Sequence, residues 1–251
     1  MKKFDYISIL AGGSCKFNCE FCIGKNIRKD VSPHFSKKVK SFIECFSDLT
    51  DLISVSGDTS DPSFIKETWK IPNWVKEFNP KSKVTLHTRN IDCLENALNS
   101  GYDKFVFSID ENFTREMLKK LEPYKDKVRL SFVMTIANFW VIDAWKEEIP
   151  EIFEFQMTIR PEVKEAKIES NLHTFINQFL NILGNTITLF ELHERAFVNE
   201  KGALVLEDKP NIWFWNYNKT NKMMDVRYLF SDGNISSNCE WEKYEKIHIR
   251  D

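Results

Sequence analysis

Along the first 160 positions, short apolar runs alternate with longer amphipathic stretches. Phe4–Ala11, Leu52–Ser56, Lys83–Thr88, Lys104–Ile109, Val128–Thr135 and Phe153–Arg160 have the length and apolar character of strands. Lys37–Phe46, Ser63–Phe78, Asp92–Asn99, Thr114–Leu121 and Ile142–Glu148 fall between them and read as helices. Strand then helix, repeated, predicts βα units with right-handed crossovers and a parallel sheet. Six such strands make an open or partial barrel, whose working face is the C-terminal ends of the strands.

After Arg160 the rhythm changes. Leu172, Phe175, Ile176, Phe179, Leu180 and Leu183 predict a helix over Leu172–Leu183, and Thr186–Leu192 a strand. The stretches 202–206, 212–215 and 227–235 read as short strands and hairpins, with Asp232-Gly233 as a turn. No Gly/Ser/Pro-rich linker precedes this tail. The expected fold is therefore α/β, a partial (β/α)6 TIM-like barrel over 1–165 with a C-terminal α/β extension over 166–251 packed on the same domain.

Composition narrows the class. With 251 residues, 42% of them hydrophobic, the chain can bury one sizeable core. Thirty-five basic against 37 acidic residues, a formal net charge of -2, give no reason to expect a phosphate-backbone partner, though a local basic patch remains compatible. No stretch has the length and apolarity of a membrane span. The N-terminus enters a folded pattern with no apolar signal region, so a cytoplasmic, reducing setting is expected, where thiols are available as metal ligands.

The chemistry gathers at Cys15-Lys-Phe-Asn-Cys19-Glu-Phe-Cys22, which follows the first strand through Ala11-Gly12-Gly13-Ser14. Three thiolates at this spacing fold around one metal group, and the small residues before them allow close backbone approach. Soft thiolates suit iron–sulfur or zinc; tetrahedral zinc needs a fourth ligand, and His34 is the one nearby imidazole. Cys45 and Cys93 lie in helical patterns and are expected to be buried, and Cys239 stands alone.

The loop resembles the hallmark of the radical SAM superfamily, Cys-x3-Cys-x2-Cys with an aromatic beside the last cysteine, here Phe21. The resemblance extends more loosely over the strand–helix pattern to about Arg160. It implies a [4Fe-4S] cluster on Cys15, Cys19 and Cys22 whose open iron binds S-adenosyl-L-methionine. In that family reductive cleavage of the sulfonium yields methionine and a 5′-deoxyadenosyl radical. An electron donor such as flavodoxin or ferredoxin is implied as a partner.

Further segments stand where that family places cofactor contacts. Ser54-Val55-Ser56-Gly57-Asp58-Thr59 is similar to its Gly-Gly-Glu segment, with Ser56 in place of the first glycine and Asp58 in place of the glutamate. The Ser56 carbonyl and the shorter Asp58 carboxylate would meet the methionyl amine; a turn or helix cap is the other role open to Asp58. Thr88 and Asn90 end the third strand. Ser108 and Asp110 end the fourth, suited to ribose and the methionyl carboxylate region or to capping the next helix.

On the sixth strand Glu154, Gln156, Thr158 and Arg160 share one face, and Arg160 is a candidate for holding a substrate or cofactor carboxylate. Glu191, His193 and Arg195 recur on one side of an extended segment, either to move protons and clamp substrate or as a solvated face. The expected activity is hydrogen abstraction from a small polar, nucleoside- or amino-acid-like substrate. A peptide, protein or nucleic acid is the alternative substrate, and a non-enzymatic zinc or redox-sensing protein the alternative class.

Overall fold

The computed structural model describes residues 4–17, 19, 31–58, 60–134, 140–145, 148–159, 196–198, 204–206, 209–216 and 225–237. The chain divides into two compact units, Met1–Phe107 with Met224–Asp251, and Ser108–Met223. In the first, β1 (Tyr6–Ala11), β2 (Leu52–Gly57), β3 (Lys83–Thr88) and β4 (Lys104–Ile109, reaching the boundary) pair side by side, all parallel. Ile7, Ser8 and Ile9 are buried in succession, the signature of a parallel strand enclosed on both faces.

Helix α1 (Phe35–Phe46) buries Phe35, Val39, Phe42 and Ile43, an i, i+4, i+7, i+8 stripe. Cys45 lies off that stripe and is exposed, which corrects its expected burial; Cys93 is buried. The single helix expected over Ser63–Phe78 is broken. Tight 3-10 turns at Pro62–Phe64 and Lys66–Lys70 precede α2 (Ile71–Phe78). Extended Ile65, at φ -103° and ψ 117°, separates the two turns. Pro72, lacking an N–H, is confined to the first turn of α2. The next helix also starts late, as a 3-10 turn at Ile91–Cys93 followed by α3 (Leu94–Asn99).

The second unit holds α4 (Arg115–Leu121), β5 (Val128–Met134), α5 (Trp140–Trp145), α6 (Glu148–Ile152), β6 (Glu154–Ile159), β7 (Ala196–Val198), β8 (Leu204–Leu206) and β9 (Lys209–Asn216). Thr114 caps α4 by accepting from the Met117 N–H at 3.3 Å. Two short helices replace the one expected over Ile142–Glu148. Strands β5 and β6 are parallel, with Arg129 opposite Glu154. Burial pushes the Arg129 guanidinium pKa down, and the charge of Glu154 opposes that shift. Strand β9 runs parallel to β6 and antiparallel to β8, so 212–215 belongs to a sheet and not to a hairpin alone. The helix expected at Leu172–Leu183, the strand at Thr186–Leu192 and the boundary at 165 lie outside the described residues.

The last described strands return to the first unit. Strands β10 (Val226–Leu229) and β11 (Ile235–Ser236) form the expected hairpin about Asp232-Gly233, where the Asn234 N–H donates to Asp232 Oδ1 at 3.0 Å. Strand β10 also lies parallel to β1, from Tyr6 opposite Val226 to Ile9 opposite Leu229. Its Tyr228 hydroxyl is 2.9 Å from that of Tyr6. Among the described residues no helix is long and apolar enough to cross a membrane.

Candidate active site

Because β1, β2 and β3 are parallel, the loops that follow them leave one edge of the first unit's sheet. The Asp58 N–H donates to the Ala11 carbonyl at 2.8 Å and ties the ends of β1 and β2 together. Beyond Ala11, Gly13 has φ 147°, and a Cβ there would lie 2.9 Å from Cδ1 of Ile65. Only glycine meets both demands without strain. Cys15 follows in the open, and Cys19 is half-buried. Phe21 and Cys22 lie outside the described residues.

The loop after β2 is shaped by Gly57, where a Cβ would stand 2.2 Å from the Ser60 carbonyl oxygen. That closeness sets Asp58, Ser60 and Asp61 on one tight turn. The Ser60 hydroxyl donates to the Ser14 carbonyl at 3.0 Å, bracing the segment that leads into the cysteines. Asp61 is buried and accepts three hydrogen bonds. Its Oδ1 accepts from the Ser63 N–H at 2.9 Å and the Thr88 hydroxyl at 2.6 Å, and its Oδ2 accepts from the Arg89 N–H at 2.8 Å. Charge-assisted bonds of this kind are about twice as strong as neutral ones.

Thr88 Oγ1 in turn accepts from the Asn90 N–H at 2.9 Å, and the Asn90 side-chain amide donates to Ser63 Oγ at 3.1 Å. Thr88 is thus buried inside the frame, with Asn90 half-buried beside it. Arg89 reaches back to the cysteine loop. Its Nη1 donates to Cys19 Sγ, and its guanidinium carbon lies 5.2 Å from the Phe17 ring centroid. Phe17 packs on Phe64 at 5.3 Å between centroids, and Lys16 Nζ stands 5.3 Å from the Phe64 ring.

Ser56 is half-buried near the end of β2, opposite Leu10. Asp58 is buried, and its Oδ2 accepts from the Ser231 hydroxyl at 2.7 Å and the Ser231 N–H at 3.2 Å. The Ser231 carbonyl accepts from the Ser32 N–H at 2.9 Å, so this turn after β10 holds both the β2 loop and the approach to α1. In the second unit Ser108 is half-buried. Asp110 is buried in a local turn, its Oδ1 accepting from the Asn112 N–H at 2.9 Å. Arg160, Glu191 and His193 lie outside the described residues.

The structure thus brings Cys19, Thr88 and Asn90 into one network and links Asp58 to the end of β1. Three of its members were not foreseen. Asp61 carries a local signal, since Asp-Pro-Ser after a strand is a cap sequence. Arg89 lies between two singled-out residues, and Ser231 has no local signal at all. Cys93 borders the same frame: burial first, then the Asp61 charge, pushes its thiol up to about 12.

No family model and no curated protein matches the chain. Solved structures do. Over 97% of its length the chain is similar to SuiB of Streptococcus suis, with a TM-score of 0.62 and 13% identity. It is equally similar over 98% to SuiB bound to precursor peptide SuiA, at 0.60 and 14%. Over 93% it is similar to anSMEcpe with bound AdoMet and a peptide, at 0.51 and 12%, covering 74% of that chain. The chain spans 63% of the length of SuiB. The likeness shows the fold: a mostly parallel α/β sheet with helices, of the TIM-barrel-like, partial-barrel kind.

Proposed function

We propose that this chain is a radical SAM enzyme that abstracts hydrogen from a small polar, nucleoside- or amino-acid-like substrate. One observation carries the assignment: Cys15 is exposed and Cys19 half-buried on a loop that the turns after β2 and β3 brace through Ser60, Asp61 and Arg89. The donor set fits the group. Soft thiolates suit an iron–sulfur cluster, Gly13 admits a close backbone, and a guanidinium at Cys19 offsets the negative charge of three thiolates.

Cys15, Cys19 and Cys22 would hold a [4Fe-4S] cluster, and Phe21, Ser56, Asp58, Thr88, Asn90, Ser108 and Asp110 are the proposed S-adenosyl-L-methionine contacts. When bound, the pair supplies one-electron reductive cleavage of a sulfonium carbon–sulfur bond and, through it, hydrogen abstraction. The protein's own work is placement. Asp61 fixes Thr88 and Arg89 by charge-assisted bonds, and Ser231 holds the Asp58 carboxylate at the end of β2. Arg160, Glu191 and His193 are the proposed substrate contacts, and flavodoxin or ferredoxin the proposed donor in a cytoplasmic setting.

A peptide substrate has its own support, because the neighbours matched over most of the chain include SuiB with SuiA and anSMEcpe with a peptide. Anaerobic reconstitution tests the assignment. About four iron and four sulfide per chain, with a spectral change on adding S-adenosyl-L-methionine, is the expected result. Stoichiometric zinc without iron would instead identify a non-enzymatic metal protein. Deuterium transfer into S-adenosyl-L-methionine-derived products from labelled amino acids, nucleosides or peptides then separates the substrate classes.

A further inference from the structure

We propose that Arg89 is a positioning residue that raises the reduction potential of the metal cluster held by Cys19. The proposal rests on the cluster assignment above and adds a role for a residue outside the ligand set. Arg89 Nη1 donates to Cys19 Sγ across 70 positions of sequence. Its placement is built from both sides. The Arg89 N–H is bound by the buried Asp61 carboxylate at 2.8 Å, beside Thr88, which is held by the same carboxylate at 2.6 Å. On the other side Phe17, from the cysteine loop itself, lies under the guanidinium at 5.2 Å. Strand β3, which ends at Thr88 just before Arg89, is paired with β2 and β4, so the base of Arg89 has little freedom.

The electrostatic consequence has a definite sign. One-electron reduction adds a negative charge to a cluster already ligated by thiolates. An N–H donor and positive charge on a ligand sulfur stabilise the reduced form more than the oxidised one. The potential therefore rises, which eases entry of an electron from an external low-potential one-electron donor. Lysine keeps the charge but is a compact, strongly hydrated ammonium without the planar fork that stacks on Phe17.

The test is a reductive titration with dithionite and mediators of reconstituted wild type, Arg89→Gln, Arg89→Lys and Lys16→Gln, followed by electron paramagnetic resonance of the reduced cluster. Arg89→Gln should shift the midpoint to more negative potential at unchanged iron and sulfide content and unchanged melting temperature, with Arg89→Lys between it and wild type. Lys16→Gln removes a cation of the same loop that faces Phe64, and should shift the midpoint less than Arg89→Gln. A wild-type midpoint in Arg89→Gln, or an equal shift in Lys16→Gln, overturns the proposal. If Arg89→Gln fails to hold a cluster, the Arg89→Lys midpoint decides by the same sign. Absence of a cluster in every protein, wild type included, removes the cluster assignment and this role with it.

Discussion

The hydrogen bonds described in the loops after β2 and β3 span far more sequence than the one described at Asp110, after β4. Asp61 binds Thr88, 27 positions away, Arg89 binds Cys19 at 70, and Asp58 binds Ser231 at 173. Asp110, by contrast, serves the N–H of Asn112 two residues on. A carboxylate that serves its own turn shapes one loop. A carboxylate that serves distant strands fixes loops against each other, which is what a preorganised site requires. By this measure the loops after β2 and β3 in the first unit carry built positions for chemistry.

The comparison can be broken by substitution, and the effects should differ in size. Cys19→Ala should remove the cluster and reduce S-adenosyl-L-methionine cleavage to background, read as product by chromatography; persistent cleavage would refute the ligand assignment. Gly57→Ala should cost about 3 kcal/mol in urea unfolding, because its Cβ meets backbone rather than a movable side chain. Asp61→Asn should cost about 2 kcal/mol, since an amide facing the Arg89 N–H sets donor against donor. Asp110→Asn keeps the turn acceptor and should fall within about 0.5 kcal/mol. Equal costs for the two aspartates would erase the distinction between braced and local loops.

Cys93 gives a smaller, pH-dependent effect. Its folded pKa, about 12, stands above its ordinary value of 9.0. Protonated thiol favours the fold, so this contribution is present below pH 9 and is lost as pH rises toward about 12. Denaturation midpoints in that window should fall less steeply in Cys93→Ala than in wild type. An identical slope would show that the thiol titrates normally in the folded chain.

What could be read in the sequence follows the same division. Strands β1 to β4 lie within a residue or two of the apolar runs that predicted them, because consecutive burial in β1 and β4 and alternating burial in β2 and β3 both write themselves as local hydrophobicity. The cysteine loop was legible because its spacing is itself the chemical constraint. The helix over Ser63–Phe78 failed at Ile65 and Pro72, where backbone geometry overrode the apolar rhythm. Cys45 misled because one position on α1 separates a buried stripe from solvent. Asp61, Arg89 and Ser231 were passed over because their roles depend on partners that only the assembled sheet brings near. The pairing of β10 with β1, which places Ser231 against Asp58, leaves no local trace.

The most direct test is to incubate the anaerobically reconstituted protein with S-adenosyl-L-methionine and dithionite and to measure 5′-deoxyadenosine and methionine. The braced thiolate loop predicts both products in equal amounts, dependent on iron, reductant and Cys19. A protein that binds zinc, takes up no iron and leaves S-adenosyl-L-methionine intact under these conditions would contradict it.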